Sequence, residues 1–334
     1  MMVGEMGKGV ERHEPFISKS YVQDMHLIFF DMYVSGYTLG MRTTLSLRAV
    51  SLLLSAAALS SCGIAQSIDF SSRQKSQESS SSASQSSVPS SQTSAEPVHN
   101  EVLFIGNSFT YYNDVDQITQ SIGRDLGLDI SCSAITEGGK HLIDTASSSD
   151  PLGQKLDAAL TKKYTHIVLQ EHSTTPVTQY GNFLSGVKKI LEKINATQDQ
   201  PKVYLYATWS YSSFAASREM TIPESELLLR NAYLECAKAA NTLVSHVGKA
   251  FTYVYETHPT INLYHTDDKH PSFAGSYLSA CVHAANMFGL DVRNTTFLGS
   301  GAERGNGTNA RQLVDEATAV TLRKVAYETV HGLI

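Results

Sequence analysis

The chain has 334 residues, of which 42% are hydrophobic and 17% are charged, and its formal net charge is −6. These proportions are ordinary for a soluble globular protein. The negative balance, without any basic stripe, argues against a nucleic-acid partner. Because the composition changes along the chain, length alone does not decide the number of domains.

The first 61 residues are predicted to include a secretion signal. Residues 41–48 are basic, and residues 49–59 are apolar but too short to span a bilayer. The apolar run ends in Leu59-Ser-Ser-Cys62, which resembles a bacterial lipobox. That resemblance implies that residues 41–61 are a signal peptide and that Cys62 is lipidated as the mature N-terminus. The alternative is a buried helix with an incidental cysteine.

Residues 1–40 precede this complete signal and have no clear period or helix cap. We interpret them as an upstream extension, with the natural start at Met41. The alternative is a true cytoplasmic extension, which would be inconsistent with an N-terminal signal.

Residues 62–97 are predicted to be a flexible tether. From Ser67 onward they are mostly serine and glutamine, so they bury too little apolar surface to offset the entropy of ordering. The predicted order is a lipid anchor, a tether and then a folded domain over residues 98–334. This order predicts a protein held at the cell membrane, on its extracytoplasmic face. The membrane is then a partner through Cys62.

Residues 98–334 alternate short apolar runs with longer segments of helical period. The runs predict five strands, at 102–105, 128–135, 164–170, 202–207 and 242–247. The helical patterns lie at 115–126, 183–194, 223–240, 272–288 and 312–330. This alternation predicts an α/β fold with a mainly parallel sheet and helices on both faces. In such sheets, sites form at the carboxyl ends of the strands.

Three cysteines remain in the predicted domain: Cys132, Cys236 and Cys281. They cannot all pair within one chain, and none belongs to a Cys-x-x-Cys motif. We interpret them as buried small apolar residues, with one disulfide left possible.

Ser108 is the first candidate catalytic residue. It follows the first predicted strand in Gly106-Asn-Ser-Phe109, where glycine permits a tight turn and a following helix offers free N–H groups to an oxyanion. The same position suits a serine that only caps the helix, and the residues around it leave both interpretations open. The α/β-hydrolase elbow Gly-x-Ser-x-Gly is not matched, because Thr110 occupies the second glycine position.

Asp267 and His270 supply the other two groups that a serine nucleophile needs. A carboxylate three residues before a histidine can orient its Nδ1, while Nε2 faces the serine. A metal site formed by this pair with His265 and Asp268 is the alternative, but no matching ligand motif lies elsewhere in the chain.

Together these segments resemble the SGNH (GDSL-like) hydrolase superfamily over most of residues 100–290. In that superfamily a serine after the first strand works with an Asp-x-x-His motif, so the resemblance implies a triad of Ser108, Asp267 and His270. Gly-Asn-Ser replaces the usual Gly-Asp-Ser, which is a conservative departure. The resemblance also implies a flavodoxin-like three-layer α/β/α sandwich with five strands, and neither a metal nor an organic cofactor.

The resemblance further implies an oxyanion hole. Its expected donors are the backbone N–H groups of Ser108 and of Gly139, which lies in Glu137-Gly-Gly-Lys140 after the second strand. The superfamily's third block normally reads Gly-x-Asn-Asp, whereas this chain has Gln170-Glu-His172 there. The side-chain amide of Gln170 is the expected third donor, with His172 as its competitor.

Trp209, together with Tyr111, Tyr112 and Tyr211, is predicted to line a sugar-binding rim, although simple core packing is an equal alternative. The resemblance and the surface location imply an esterase that removes short acyl groups, acetyl first among them, from carbohydrate or cell-envelope substrates. Acyl transfer is a variant of the same chemistry. Two other classes are a catalytically inactive glycan-binding lipoprotein of this fold and a metal-dependent hydrolase that uses residues 265–270.

Overall fold

The computed structural model describes residues 99–303 and 311–334. The predicted extension at 1–40, the signal peptide at 41–61, the lipidation site Cys62 and the tether at 62–97 lie outside the described residues, so these interpretations stay predictions. Over the described ranges, no helix is both long enough and apolar enough to cross a membrane.

Five parallel strands form the central sheet, in the order β2-β1-β3-β4-β5. Their bounds are β1 Asn100–Gly106, β2 Ile130–Thr136, β3 His166–Leu169, β4 Lys202–Tyr206 and β5 Leu243–Ser245. Each of the five predicted strands is present. Since the strand order reverses between β1 and β3, the switch point lies where these two strands end, and α/β proteins of this type bind ligands there.

Helices cover both faces of this sheet. In chain order they are α1 Ser108–Tyr111, α2 Val115–Asp125, α3 Leu142–Thr145, α4 Pro151–Ala159, α5 Thr175–Thr178, α6 Tyr180–Thr197, α7 Ser212–Ala216, α8 Ile222–Ala240, α9 Val247–Thr257, α10 Phe273–Phe288 and α11 Glu316–Val330. The first four predicted helical segments correspond to α2, α6, α8 and α10. The short helices, as well as α4 and α9, were not predicted.

The two faces of the sheet bury separate clusters of apolar side chains. Val102 and Phe104 of β1 pack with residues of α2, α9, α10 and α11. Leu103 and Ile105, which point the other way because side chains alternate along a strand, pack with residues of α4, α6 and α8. The domain is therefore the predicted three-layer α/β/α sandwich, and the predicted fold class is confirmed.

The predicted C-terminal helix begins too early. Residues Arg311–Leu313 form β7, which pairs antiparallel with β6 Gly299–Glu303, and α11 starts only at Glu316. Asp315 caps this helix by accepting a hydrogen bond from the Thr318 N–H at 3.0 Å. The prediction failed because it extended the helical period across a strand of three residues.

The three cysteines of the domain, Cys132, Cys236 and Cys281, are buried free thiols. Burial raises the pKa of Cys236 and of Cys281 to about 12. A thiol that stays protonated and buried behaves as a small apolar side chain. The interpretation of these cysteines as core residues is confirmed.

His283 is expected to make the core sensitive to acid. It lies in α10 with no exposed surface, its ring contacts Phe104 and Tyr206, and neither ring nitrogen hydrogen-bonds to a described residue. Burial lowers its pKa to about 3. The imidazole of His283 binds a proton near pH 6.5 in the unfolded chain but only near pH 3 in the folded chain. The free energy of unfolding therefore falls by about 1.4 kcal/mol per pH unit as pH falls between these two values.

Urea unfolding between pH 4 and pH 8 measures this contribution. His283→Phe keeps an aromatic ring but cannot bind the proton. Its loss of unfolding free energy relative to the wild type is expected to be smallest at low pH. His258→Phe, at a partly exposed position, serves as the control. If wild type and His283→Phe lost stability equally on acidification, His283 would not be the group responsible.

Candidate active site

The turn after β1 presents Ser108 at the switch point of the sheet. The helix α1 is capped by Asn107, whose Oδ1 accepts a hydrogen bond from the Phe109 N–H at 3.2 Å. Ser108 is thus the first residue within the helix, and the interpretation of Ser108 as the cap is wrong. Gly106 is required at the turn, since a Cβ there would lie 2.5 Å from Gln170 Oε1 and 2.6 Å from Thr110 Oγ1.

A continuous line of hydrogen bonds joins the three residues that the sequence singles out. Ser108 Oγ lies 2.8 Å from His270 Nε2, and His270 Nδ1 lies 2.5 Å from Asp267 Oδ2. Residues 162 positions apart are thereby brought into contact. A base hydrogen-bonded to a hydroxyl and oriented by a carboxylate is the arrangement that activates a serine nucleophile.

Asp267 is held ionised by its own loop. Partial burial alone would raise the pKa of Asp267, but hydrogen bonds from the His270 ring and from the backbone N–H groups of His270 and Lys269 outweigh it and lower this pKa to about 2. The two backbone donors lie 3.0 and 3.1 Å from Asp267 Oδ1. The carboxylate is thus charged and oriented within its loop.

The loop that carries Asp267 and His270 is a tight hairpin over residues 263–272. Its ends are joined by hydrogen bonds from the Ser272 N–H to the Leu263 carbonyl (2.9 Å) and from the His265 N–H to the His270 carbonyl (2.8 Å). The ring of Tyr112 stacks on the His270 ring, with centroids 4.2 Å apart and planes at 7°. The imidazole is therefore fixed by stacking as well as by its hydrogen bonds.

Trp209 does not line a rim. The side chain is fully buried and stacks between Phe109 and Phe251, with ring centroids 4.6 and 4.1 Å away. Its Nε1–H donates to the Lys269 carbonyl at 3.0 Å and so supports the hairpin from below. The predicted substrate-rim role is wrong, because aromatic stacking buries more of the indole than a rim position would.

The tyrosines of the predicted rim differ in their exposure. Tyr211 is buried, whereas Tyr111 is partly exposed beside Tyr112, with ring centroids 5.5 Å apart. The hydroxyl of Tyr111 lies 3.1 Å from where a Cβ would stand on Gly138. Tyr111 therefore stays accessible next to the candidate oxyanion loop, and its contact with substrate remains a prediction.

Gln170 lies beneath the nucleophile turn, with its amide fully engaged. Its Oε1 accepts from the Asn107 N–H (2.8 Å) and from the Thr110 hydroxyl (2.9 Å). Its Nε2 donates to Asn107 Oδ1 (2.9 Å) and to the Glu171 carbonyl (2.5 Å). An amide has two hydrogens to donate, so none is left for an oxyanion. The structure does not support the predicted donor role of Gln170, which instead braces the turn.

Gly139 lies in an exposed loop that reaches the nucleophile turn. Its φ of +73° is in the left-handed region, which suits glycine. The next residue, Lys140, is tied to the turn because its carbonyl accepts from Asn107 Nδ2 at 2.9 Å. This brings Gly139 to the edge of the sheet that carries Ser108, and its role as an oxyanion donor remains a prediction.

Glu171 is a buried carboxylate that the sequence did not single out. It has no exposed surface and accepts hydrogen bonds from the backbone N–H groups of His172 (2.6 Å) and Leu142 (3.3 Å). Its Oε1 lies 3.5 Å from His141 Nδ1, and this contact raises the pKa of His141. Glu171 thereby joins the end of the Gly139 loop to the segment that follows β3.

His172, the competitor to Gln170, is half-buried against His141, with ring centroids 4.6 Å apart. Burial, together with the positive charges of His141 and Lys269, lowers its pKa to about 4. Its Nδ1 is buried without a hydrogen bond to any described residue. A neutral imidazole has one N–H to donate, so His172 is the remaining side-chain candidate for the third donor.

Three of the four hairpin residues considered as metal ligands, Asp267, His270 and His265, contact one another. Asp267 binds the His270 ring, while His265 Nδ1 lies 3.8 Å from Asp267 Oδ1. Across the residues that the structure describes, no group of three or more histidine, cysteine or acidic side chains is arranged to hold a metal ion.

Comparison with known proteins gives a likeness of fold. No protein-family model matches the chain, and no curated protein matches it. Among solved structures, a DUF4886 family protein from Bacteroides uniformis is 15% identical, with a TM-score of 0.58, over 70% of this chain and 95% of its own. A protein from Slackia heliotrinireducens described as a candidate SGNH hydrolase is 24% identical, with a TM-score of 0.49, over 57% of this chain and all of its own.

An acetyl xylan esterase is also among the similar structures, at 16% identity and a TM-score of 0.42, over 54% of this chain and 96% of its own. At such identities the likeness concerns the backbone. The domain, with its five-stranded parallel sheet and flanking helices, shares its α/β fold with the DUF4886 family protein.

Proposed function

We propose that the chain is a serine esterase that hydrolyses short-chain acyl esters, acetyl esters first among them, on carbohydrate or cell-envelope substrates. The observation that carries the proposal is the hydrogen-bonded line from Ser108 through His270 to Asp267. It lies at the carboxyl edge of the sheet, where α/β folds bind their ligands.

In the proposed reaction, His270 Nε2 takes the Ser108 proton while Oγ attacks the ester carbonyl. The charge of Asp267 stabilises the imidazolium, which then gives its proton to the departing alcohol. A water molecule, deprotonated by the same histidine, releases the acid from the acyl-enzyme and restores the serine. The N–H groups of Ser108 and Gly139, with His172 in place of Gln170, are the proposed oxyanion donors.

We propose further that the enzyme works outside the cytoplasm, anchored in the membrane through a lipid on Cys62. Support comes from the lipobox-like Leu59-Ser-Ser-Cys62 and from the serine-rich segment behind it. The intact mass of the mature chain tests this, because a mature protein without a lipidated Cys62 at its N-terminus would contradict the anchor.

A fluorophosphonate probe tests the nucleophile, since only an activated serine reacts readily with it. The wild type is expected to be labelled and to hydrolyse 4-nitrophenyl acetate, and Ser108→Ala is expected to lose both properties. Ser213→Ala, at an exposed serine of α7, is the matched control and should be labelled like the wild type. Full activity in Ser108→Ala would refute the proposal.

A glycan-binding protein without catalysis is the second candidate. It is favoured by one observation, the engagement of the Gln170 amide, which removes an expected oxyanion donor. If the folded wild type resists the probe and hydrolyses no ester, this candidate replaces the esterase. Transfer of the acyl group to an acceptor other than water shares the acyl-enzyme, and product analysis distinguishes it.

A further inference from the structure

A cavity of about 540 Å³ lies on the hairpin that carries Asp267 and His270. Leu263, Tyr264 and Asp268 of this hairpin contribute to its wall. The rest comes from the end of α9, the loop that follows it and the starts of α7 and α8. Ser108 is not among its lining residues. The cavity is therefore a separate depression that shares one structural element with the candidate active site.

The floor of the cavity is apolar and its rim is polar. Leu263, Tyr264 and Ile222 are buried, whereas Tyr255 exposes 46% of its surface at the rim. The volume is within the range of small-molecule sites, which combine an apolar wall with a few placed polar groups. A flat aromatic face next to acceptors suits the apolar face and the hydroxyl groups of a sugar ring.

Two carboxylates at the cavity, Glu256 and Asp268, have no ion-pair or hydrogen-bond partner for their side chains among the described residues. Both are exposed. Acidic side chains accept hydrogen bonds and donate none when ionised, so they favour a ligand with several hydroxyl donors. They repel an anionic ligand, and the cavity is lined by no lysine or arginine that could offset this charge.

We propose that this cavity binds a neutral oligosaccharide, as the subsite for the sugar units next to the acylated one. The inference deepens the proposed esterase function and names its substrate class. The reason for linking the cavity to the candidate active site is the hairpin that they share. A sugar chain held against Asp268 would lie two residues along this hairpin from His270. A long acyl chain is a poorer occupant, because the polar rim would leave it partly hydrated.

Direct binding tests the subsite without depending on hydrolysis. Calorimetric titration of the wild-type protein with unacylated xylotetraose, cellotetraose and chitotetraose is expected to show binding of at least one, and a tetramer of galacturonate is expected not to bind. Tyr255→Ala and the conservative Glu256→Gln are each expected to weaken this binding at least tenfold. Val320→Ala and Glu192→Gln, at exposed positions of α11 and α6, are the matched controls.

The outcomes separate this inference from the esterase proposal. If no neutral tetrasaccharide binds at millimolar concentration, if the anionic tetramer binds best, or if both cavity variants bind like the controls, the subsite is refuted even in an active enzyme. Binding that depends on Tyr255 and Glu256 supports the subsite even if Ser108 proves unreactive. With an active enzyme, the two variants should also lower kcat/KM for the acetylated form of the tetrasaccharide that binds, relative to kcat/KM for 4-nitrophenyl acetate, at least tenfold.

Discussion

Asp267→Asn is expected to lower kcat for 4-nitrophenyl acetate by roughly 10³- to 10⁴-fold while the fold is retained. The carboxylate now accepts from His270 Nδ1 at 2.5 Å, which leaves Nε2 free to accept the Ser108 proton. An amide in its place can donate its own hydrogen to Nδ1 and so favour the tautomer protonated at Nε2. That tautomer cannot act as the base.

The loss should be similar at about pH 6 and about pH 9. Because its hydrogen bonds lower the pKa of Asp267 to about 2, the wild-type carboxylate is ionised throughout this range. Asp199→Asn, at an exposed aspartate that pairs with Lys163 at 3.2 Å, is the control and should retain wild-type kcat. A folded Asp267→Asn variant with more than a tenth of the wild-type kcat would contradict the proposed triad.

Replacing Glu171 is expected to produce the second large effect, on activity and on stability together. Glu171→Ala removes a buried acceptor from two backbone N–H groups and from His141, and leaving a buried donor without its acceptor costs about 1–3 kcal/mol per group. Glu171→Gln keeps the shape of the side chain but places an NH2 group, which donates hydrogen bonds, next to those backbone N–H groups. Because Glu171 holds the Gly139 loop against the His172 segment, we expect kcat to fall by roughly 10²-fold in Glu171→Gln.

A second buried carboxylate provides the matched control. Glu226 in α8 is also buried, but it is paired with Arg230 at 3.2 Å, and burial raises its pKa to about 7. Glu226→Gln should therefore change the urea midpoint and leave kcat near the wild-type value. If Glu171→Gln matched it in both measurements, Glu171 would be a stability residue without influence on the active site.

Several features could be predicted from the sequence because their signals are local. Buried parallel strands read as continuous apolar runs, so all five strands were found. The spacing of Asp267 and His270 belongs to one short loop, and their hydrogen bond depends mainly on that loop. Short elements such as β7 were not predicted, because a strand of three residues is too short to show a hydrophobic period.

The site also contains features with no local signal. Nothing near Gln170 in the sequence reveals that Asn107 and Thr110 occupy its amide, since these residues are about 60 positions away. The same holds for Trp209, whose burial between Phe109 and Phe251 depends on how three separate elements pack. Whether such a residue belongs to the core or to a functional site is decided by the residues that surround it in the folded structure.

The sequence by itself determined the α/β architecture and indicated the serine turn and the Asp-x-x-His motif, because hydrophobic period and motif spacing are properties of short segments. Only the tertiary structure decided that Ser108 Oγ lies 2.8 Å from His270 Nε2. It also brought Glu171 to His141 and to the Leu142 N–H. These contacts join strands and loops that are distant in the chain, and such contacts arise only when the sheet assembles and brings the carboxyl ends of its strands together.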